Sequence, residues 1–252
     1  MKAMIKKIVP TFVWEAFRQS FSYLRRLVLD VRVTFEFMHP LQWLRIFFLI
    51  RFVRPTYSMV SPYRLKTLYN LSKRIHQEKI SGAIVECGTY NGGSAAVLGV
   101  AQKDLSESRD MWLFDSFEGL PPPTENDGSY EREHHFYGWC KGGIEKVHEV
   151  FKRLHLPTDR LHIVAGWFQD TFPNNVPEIK QIALVHIDAD WYESVKICLE
   201  YLYPKVAVGG YIAFDDYGFF SGCRKAVHEY LATHGIQAEL KTYDGGVYFR
   251  KG

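Results

Sequence analysis

The chain has 252 residues, of which 47% are hydrophobic, 15% aromatic and 23% charged. These proportions exclude a disordered chain and a collagen-like repeat, and the length suits one α/β domain with added elements. The formal charge of +3 is too small to attract nucleic acid by bulk electrostatics, so no nucleic-acid partner is predicted. Four widely spaced cysteines without a C-x-x-C pair favour a reducing compartment over a zinc or disulfide scaffold.

The first sixty residues are basic and aromatic, with ten Lys or Arg against three acids. Their longest apolar run, residues 41–53, contains Arg45 and Arg51, whereas a membrane-spanning helix needs about 20 apolar residues. Pro10 and Glu15 interrupt the apolar region that a secretory signal would need. We predict a cytoplasmic protein with a helical extension over 1–56 that covers its own core. Peripheral contact with an anionic membrane is the alternative.

From residue 62 onward, short apolar segments alternate with amphipathic ones. The predicted helices are 62–75, 92–101, 144–154, 193–202 and 223–232, and the predicted strands are 83–85, 111–114, 161–164, 182–187, 211–214, 238–241 and 247–249. Continuous apolar strands between amphipathic helices are typical of a parallel sheet that is buried on both faces. We therefore predict an α/β domain over 57–252 with a doubly wound, mostly parallel sheet.

A glycine-rich turn joins the first predicted strand to the next helix, over Val85–Ser94. Its spacing departs from G-x-G-x-x-G because Tyr90 stands where the middle glycine would allow close approach of a pyrophosphate, which disfavours a dinucleotide. Glu86 ends the strand and suits a positively charged ligand group, such as the ammonium of S-adenosylmethionine. Asp115 ends the next strand, 22 residues beyond Gly93, near the offset at which an acid binds ribose hydroxyls. A tight turn with capping acids and no ligand is the alternative.

Four aspartates follow two later strands: Asp188 and Asp190 after one, Asp215 and Asp216 after the other. Parallel strands end at the same edge of a sheet, so these carboxylates should meet and repel one another unless a cation or protons neutralise them. Oxygen ligands suit Mg²⁺. Helix capping explains one or two of these residues but explains four poorly.

Five segments together resemble the macrocin O-methyltransferase (TylF-type) family. They read V-E-C-G-T-Y-N-G-G-S, L-F-D-S-F-E-G-L-P-P-P, G-W-F-Q-D-T-F-P, H-I-D-A-D-W-Y-E-S and G-G-Y-I-A-F-D-D-Y-G-F-F-S-G-C-R-K-A-V. The resemblance begins near Tyr57 and implies a seven-stranded, Rossmann-like class I methyltransferase. It also implies an enzyme of natural product biosynthesis that uses S-adenosylmethionine and Mg²⁺ to methylate a sugar hydroxyl.

The resemblance also implies roles for individual residues. Glu86, Gly88 and Ser94 would line the methionine end of the cofactor, and Asp115 would hold its ribose. Gly166, Phe168 and Gln169 would lie near the adenine. Asp188, Asp215 and Asp216 would bind the metal, with Asp190 as the general base. The segment Tyr57-Ser58-Met59, with Arg64, resembles a part that closes over the cofactor.

Several alternatives stay open at this point. A catechol or another phenol would satisfy the same metal chemistry as a sugar. A cofactor-binding protein without turnover, docked through its N-terminus, is the alternative from another class, and a homo-oligomer is neither predicted nor excluded. His134-His135 could belong to a substrate lid or to an exposed loop. His186 is expected to pack in the core. Trp191 and Tyr192 could stack on a sugar ring, but core packing is the favoured interpretation.

Overall fold

The computed structural model of the chain describes residues 40–134 and 136–252. The chain divides into two units, residues 1–48 and 49–252, and helix α1 (Pro40–Val53) contributes residues to both. Most of the predicted N-terminal extension, and His135 of the predicted lid pair, lie outside the described residues. Within the described part, no helix is long and apolar enough to cross a membrane.

Seven strands form one sheet among the described residues, in the order β3-β2-β1-β4-β5-β7-β6. They are β1 (Ala83–Cys87), β2 (Met111–Asp115), β3 (Leu161–Ala165), β4 (Ile182–Ile187), β5 (Val206–Phe214), β6 (Lys241–Tyr243) and β7 (Gly246–Arg250). Strands β1 to β5 pair in parallel, whereas β7 runs antiparallel to both β5 and β6. This confirms the predicted mostly parallel, doubly wound sheet. The chain order reverses between β1 and β4, where such sheets bind ligands.

The remaining helices connect the strands. They are α2 (Pro62–Gln77), α3 (Gly93–Asp104), α4 (Ser129–Glu133), α5 (Ile144–Arg153), α6 (Phe168–Asn175), α7 (Tyr192–Leu202) and α8 (Ser221–Thr233). Helix α2 begins as the sequence predicts, because Pro62 occupies the first turn and the Ser61 hydroxyl accepts a hydrogen bond from the Arg64 N–H at 3.3 Å. Helices α4 and α6 are short, with five and eight residues, and the apolar pattern did not predict them.

The last strand pair differs from its prediction. Strand β6 covers 241–243 and not 238–241, since Asp244 and Gly245, both with positive φ, form the turn between β6 and β7. Strands β1, β2 and β4 are buried along their whole length, which explains their continuous apolar sequence. Because β1 to β5 are parallel, the loops after all five leave the sheet at the same edge.

Candidate active site

The loops at this edge enclose a cleft of about 1130 Å³. Single small-molecule pockets usually measure about 300–1,000 Å³, so this cleft has room for two ligands. Eleven of the twelve predicted site residues line it: Met59, Gly88, Ser94, Asp115, Gly166, Phe168, Gln169, Asp188, Asp190, Asp215 and Asp216. The twelfth, Glu86, is fully buried behind the cleft wall.

The glycine turn brings two strand ends into contact. Gly88 has φ of +81°, and a Cβ there would lie 1.7 Å from the carbonyl oxygen of Asp188. Only glycine therefore fits between β1 and the chain that leaves β4. Tyr90 also has a positive φ, 52°, although it is not a glycine. A conformation of this kind persists only where surrounding contacts hold it.

Asp115 supplies those contacts. Its Oδ2 accepts hydrogen bonds from the backbone N–H groups of Thr89 and Tyr90, each at 2.7 Å, and its Oδ1 accepts one from Phe117 at 2.7 Å. Burial raises the pKa of Asp115 in spite of these three bonds, which lower it. The carboxylate thus shapes the turn and still faces the cleft. Its contact with a ribose stays a prediction.

Residues 56–61, here called the strap, cross the start of α3. The Gly93 N–H donates to the carbonyl of Tyr57 at 2.9 Å, and the Asn91 side chain donates to the carbonyl of Thr56 at 3.0 Å. The Tyr57 hydroxyl also donates to Glu149 on α5 at 2.6 Å. Met59 is 63% exposed and lines the cleft, so the strap forms one wall of it.

The opposite wall follows β3. Gly166, with φ of +136°, donates its N–H to the carbonyl of Asp115 at 2.9 Å, which ties this loop to the end of β2. Phe168 and Gln169 then begin α6, and the Phe168 ring stacks on Phe172 with ring centroids 5.0 Å apart. The wall combines a flat aromatic ring with an amide side chain. Such a surface suits a heteroaromatic base, and this role also stays a prediction.

The four aspartates meet at the ends of β4 and β5. Ligand atoms of Asp188, Asp190 and Asp216 lie within 4.8 Å of one another, and so do those of His186, Asp188 and Asp215. Asp215 and Asp216 thus belong to different groups that share Asp188. Oxygen atoms predominate in both groups, and the buried Oδ1 of Asp215 accepts no hydrogen bond from any described residue, so a hard divalent cation fits the cluster.

Burial and mutual repulsion raise the pKa of three carboxyl groups in this cluster. Burial, and then the charge of Asp215, raise the pKa of Asp216 to about 6. Burial and the neighbouring carboxylates raise the pKa of Asp188 and of Asp190 well above its usual range. Asp190 has φ of 53°, and its N–H donates to Asp216 Oδ2 at 3.2 Å. Helix α7 is capped elsewhere: the Tyr192 N–H donates to Asp127. Capping therefore does not explain Asp190.

Two basic side chains flank Asp215. Arg64 on α2 donates to the Asp215 carboxylate and to its backbone carbonyl, while His186 Nε2 lies 3.8 Å from Asp215 Oδ1. Burial lowers the pKa of His186, but attraction to Asp215 and Glu86 outweighs it and raises the pKa to about 9. Glu86 Oε1 lies 3.0 Å from His186 Nδ1, so its carboxylate faces the imidazole.

His186 is therefore more than a packed neighbour. Glu86 and His186 are partners in the parallel register of β1 and β4, which places an acid beside an imidazole inside the sheet. Neither residue carries a signal for this pairing in its local sequence, because the register joins positions 100 residues apart. Contact between Glu86 and a cofactor stays a prediction.

Aromatic residues surround the open side of the cleft. Tyr130, Tyr137 and Trp139 are each more than half exposed, and Phe136 packs between Trp139 and the buried Trp191. They belong to the loop after β2, residues 116–143, here called the aromatic loop. The sequence contains four aromatic residues between positions 130 and 139, and this density could have predicted an aromatic wall. Trp191 is 1% exposed and packs in the core, as expected.

Known proteins share the sequence and the fold. A sequence profile of the macrocin-O-methyltransferase (TylF) family matches residues 52–251. The 8-demethyl-8-(2,3-dimethoxy-alpha-L-rhamnosyl)-tetracenomycin-C 4'-O-methyltransferase of Streptomyces olivaceus is 33% identical over 199 residues, 77% of this chain and 75% of that protein. The mycinamicin III 3''-O-methyltransferase of Micromonospora griseorubida is 29% identical, over 77% of this chain and 78% of that protein. The structure of the O-methyltransferase NovP superimposes with a TM-score of 0.71 and 31% identity, covering 77% of this chain and 82% of that one.

Proposed function

Since the chain belongs to the macrocin-O-methyltransferase (TylF) family, we propose that this methyltransferase transfers a methyl group from S-adenosylmethionine to a sugar hydroxyl of a glycosylated natural product. We further propose that Mg²⁺ assists the reaction. One observation carries the proposal: the glycine turn with Asp115 and the carboxylate cluster open into the same cleft. The names of the relatives that modify rhamnosyl-tetracenomycin C and mycinamicin III support a glycosylated acceptor.

The donor would occupy the half of the cleft between the strap and α6. Its methionine end would lie along Gly88, Ser94 and Met59, with Glu86 acting from behind the wall through the charge of its carboxylate. Asp115 would hold the ribose, and Gly166, Phe168 and Gln169 would contact the adenine. Bound S-adenosylmethionine supplies an electrophilic methyl group on a sulfonium.

The divalent ion would be held by Asp188, Asp215 and Asp216, and when bound it supplies a Lewis acid that makes acceptor hydroxyls more acidic. Asp190 would take the proton of the reacting hydroxyl. Two features of Asp190 support this role: it lies beside the proposed ligands Asp188 and Asp216, and its backbone is strained. The proton would pass to Asp190 as the acceptor oxygen bonds to the methyl carbon, while the carbon–sulfur bond of the donor would break and leave S-adenosylhomocysteine.

The acceptor would enter past the aromatic loop. Exposed Tyr130, Tyr137 and Trp139 offer flat apolar surfaces with polar edges, which suit the C–H face of a sugar ring or an apolar aglycone. The same surfaces fit a catechol, so the acceptor experiment includes both classes.

The test is methyl transfer from labelled S-adenosylmethionine to deoxysugars, glycosylated aglycones, nucleotide sugars and catechols, with and without EDTA. We expect transfer to a sugar hydroxyl that EDTA abolishes and Mg²⁺ restores, and that the Asp190→Asn variant lacks. Undiminished transfer in EDTA would contradict the role of the ion. Transfer to catechols alone would contradict the sugar acceptor.

A further inference from the structure

The guanidinium of Arg64 is bound at the carboxylate cluster. Its Nη1 donates to Asp215 Oδ2 and, at 3.0 Å, to the backbone carbonyl of the same residue. The side chains of Arg64 and Asp215 are 11% and 4% exposed, so this ion pair is almost removed from water. The Phe219 ring covers the guanidinium, with Cζ 5.0 Å from the ring centroid.

Arg64 meets the proposed metal site through Asp215, which together with Asp188 and Asp216 is proposed to hold Mg²⁺. Arg64 and these three aspartates line the same cleft. His186 is a second basic side chain beside Asp215, but its Nε2 is 3.8 Å from Asp215 Oδ1 and donates no hydrogen bond to a described residue. Arg64 is therefore the basic side chain that Asp215 binds by a hydrogen bond in the ion-free chain.

A divalent cation and a guanidinium compete at such a site. Asp215 Oδ2 already accepts from Arg64, whereas Oδ1 is buried beside His186 and accepts no hydrogen bond among the described residues. Two cations that share one buried carboxylate repel each other strongly at low local dielectric. Binding of an ion by Asp215 therefore opposes the pairing with Arg64.

We propose that Arg64 is a positioning residue that competes with the divalent ion for Asp215, and that ion binding releases it. This inference rests on the proposed function. Arg64 also contacts the strap. Ser61 is the last residue of the strap, and its hydroxyl is 3.4 Å from Arg64 Nε.

The experiment measures Mn²⁺ binding by electron paramagnetic resonance on the full chain, in the wild type and in Arg64→Gln and Arg64→Lys variants. We expect Arg64→Gln to bind Mn²⁺ about tenfold more tightly, within the usual range of coupling between two sites, and Arg64→Lys to stay near the wild type. Arg74→Gln is the matched control. It removes the same charge ten residues further along α2, about 15 Å away and beyond the screening length at physiological salt.

Thermal unfolding provides the second readout. Without ion, Arg64→Gln should have a lower melting temperature than the wild type. Addition of Mn²⁺ should raise the melting temperature of Arg64→Gln by more than that of the wild type. A merely structural role would lower the melting temperature equally with and without ion. Unchanged or weaker Mn²⁺ binding by Arg64→Gln would overturn the inference while leaving the metal site in place. Failure of both the wild type and Arg64→Gln to bind Mn²⁺ would overturn the inference and the proposed metal site together.

Discussion

Tyr90 and Asp190 face the cleft with left-handed backbones, a conformation that costs non-glycine residues about 1–3 kcal/mol. Each is held by a carboxylate: Tyr90 donates its N–H to Asp115, and Asp190 donates its N–H to Asp216. These acids therefore fix the local backbone, in addition to the ligand-binding roles that we propose for them. Substitutions that keep the shape of the side chain test the charge alone.

Asp188 offers the most informative substitution of this kind, since it belongs to both groups of side chains whose atoms lie close enough to hold a metal ion. We expect Asp188→Asn to weaken Mn²⁺ binding at least about tenfold, as loss of a group that supports a metal typically does, and to abolish methyl transfer. Affinity for S-adenosylhomocysteine, measured by calorimetry, should persist because the proposed donor contacts follow other strands. Asp110→Asn, at an exposed carboxylate, is the control. Parallel loss of both affinities would refute the separation of the two ligand sets.

The pKa of the Cys140 thiol depends on burial and on the charges in the cleft. Burial, followed by the charges of Asp190, Asp216 and Asp115, raises its pKa to about 11, and only the thiolate reacts with iodoacetamide. At pH 8 we expect Cys140 to be alkylated roughly 100-fold more slowly than an unperturbed thiol, as mass spectrometry of the labelled peptide would show. The Cys140→Ser variant identifies the adduct. Alkylation as fast as that of a model peptide would show that the acids do not act on this thiol.

At the level of helices and loops, two carboxylates of the aromatic loop cap helices that begin far along the chain. The Tyr192 N–H at the start of α7 donates to Asp127 at 2.8 Å, and the Ser221 N–H at the start of α8 donates to Glu131 at 3.1 Å. Each bond satisfies a helix-terminal N–H that would otherwise lack a partner. These two hydrogen bonds attach the aromatic loop to the starts of α7 and α8, the helices that follow the two pairs of aspartates.

The strands and the acids at their ends could be predicted from the sequence, because buried parallel strands are continuously apolar and their ends converge. The capping by Asp127 and Glu131 could not, since their partners lie 65 and 90 residues away. The contact of the Glu86 side chain with His186 likewise depends on the pairing of β1 with β4, which the local sequence does not show. The local sequence thus predicts the edge of the sheet at which the site lies. Tertiary contacts decide which side chains point into the cleft.

The contact between the strap and α3 leads to a prediction at Gly93. A Cβ at this position would lie 2.5 Å from Ser58 Cβ and 2.7 Å from the Tyr57 carbonyl, so Gly93→Ala must displace the strap. We expect affinity for S-adenosylhomocysteine to fall about tenfold, the scale of an ordinary loss of one or two contacts. Gly99→Ala is the control on the same helix, because its Cβ meets the flexible side-chain tips of Leu156, at 3.1 Å, and of Met111, at 3.7 Å, and no backbone atom of the strap. Equal donor affinities in the two variants would show that the strap does not contribute to donor binding.

For the molecule as a whole, we expect the free energy of unfolding to depend on the ion proposed to bind the carboxylate cluster. A ligand at one hundred times its dissociation constant stabilises the folded state by about 2.7 kcal/mol. For a chain of this size that corresponds to a rise in melting temperature of roughly 5–10 °C. We expect Mg²⁺ to give such a rise in differential scanning calorimetry, and the Asp188→Asn variant to show at most about half of it, because tenfold weaker binding leaves about 1.4 kcal/mol of stabilisation. An equal rise in that variant would mean that the ion stabilises the chain elsewhere.

The aromatic loop is one continuous stretch of chain, whereas the glycine turn and the aspartates come from the ends of separate strands. Replacing this stretch with that of a relative would exchange most of the outer wall in one step and leave the strand ends untouched. A scaffold divided in this way allows new acceptors to be acquired, by natural divergence or by design, without rebuilding the chemistry beneath them.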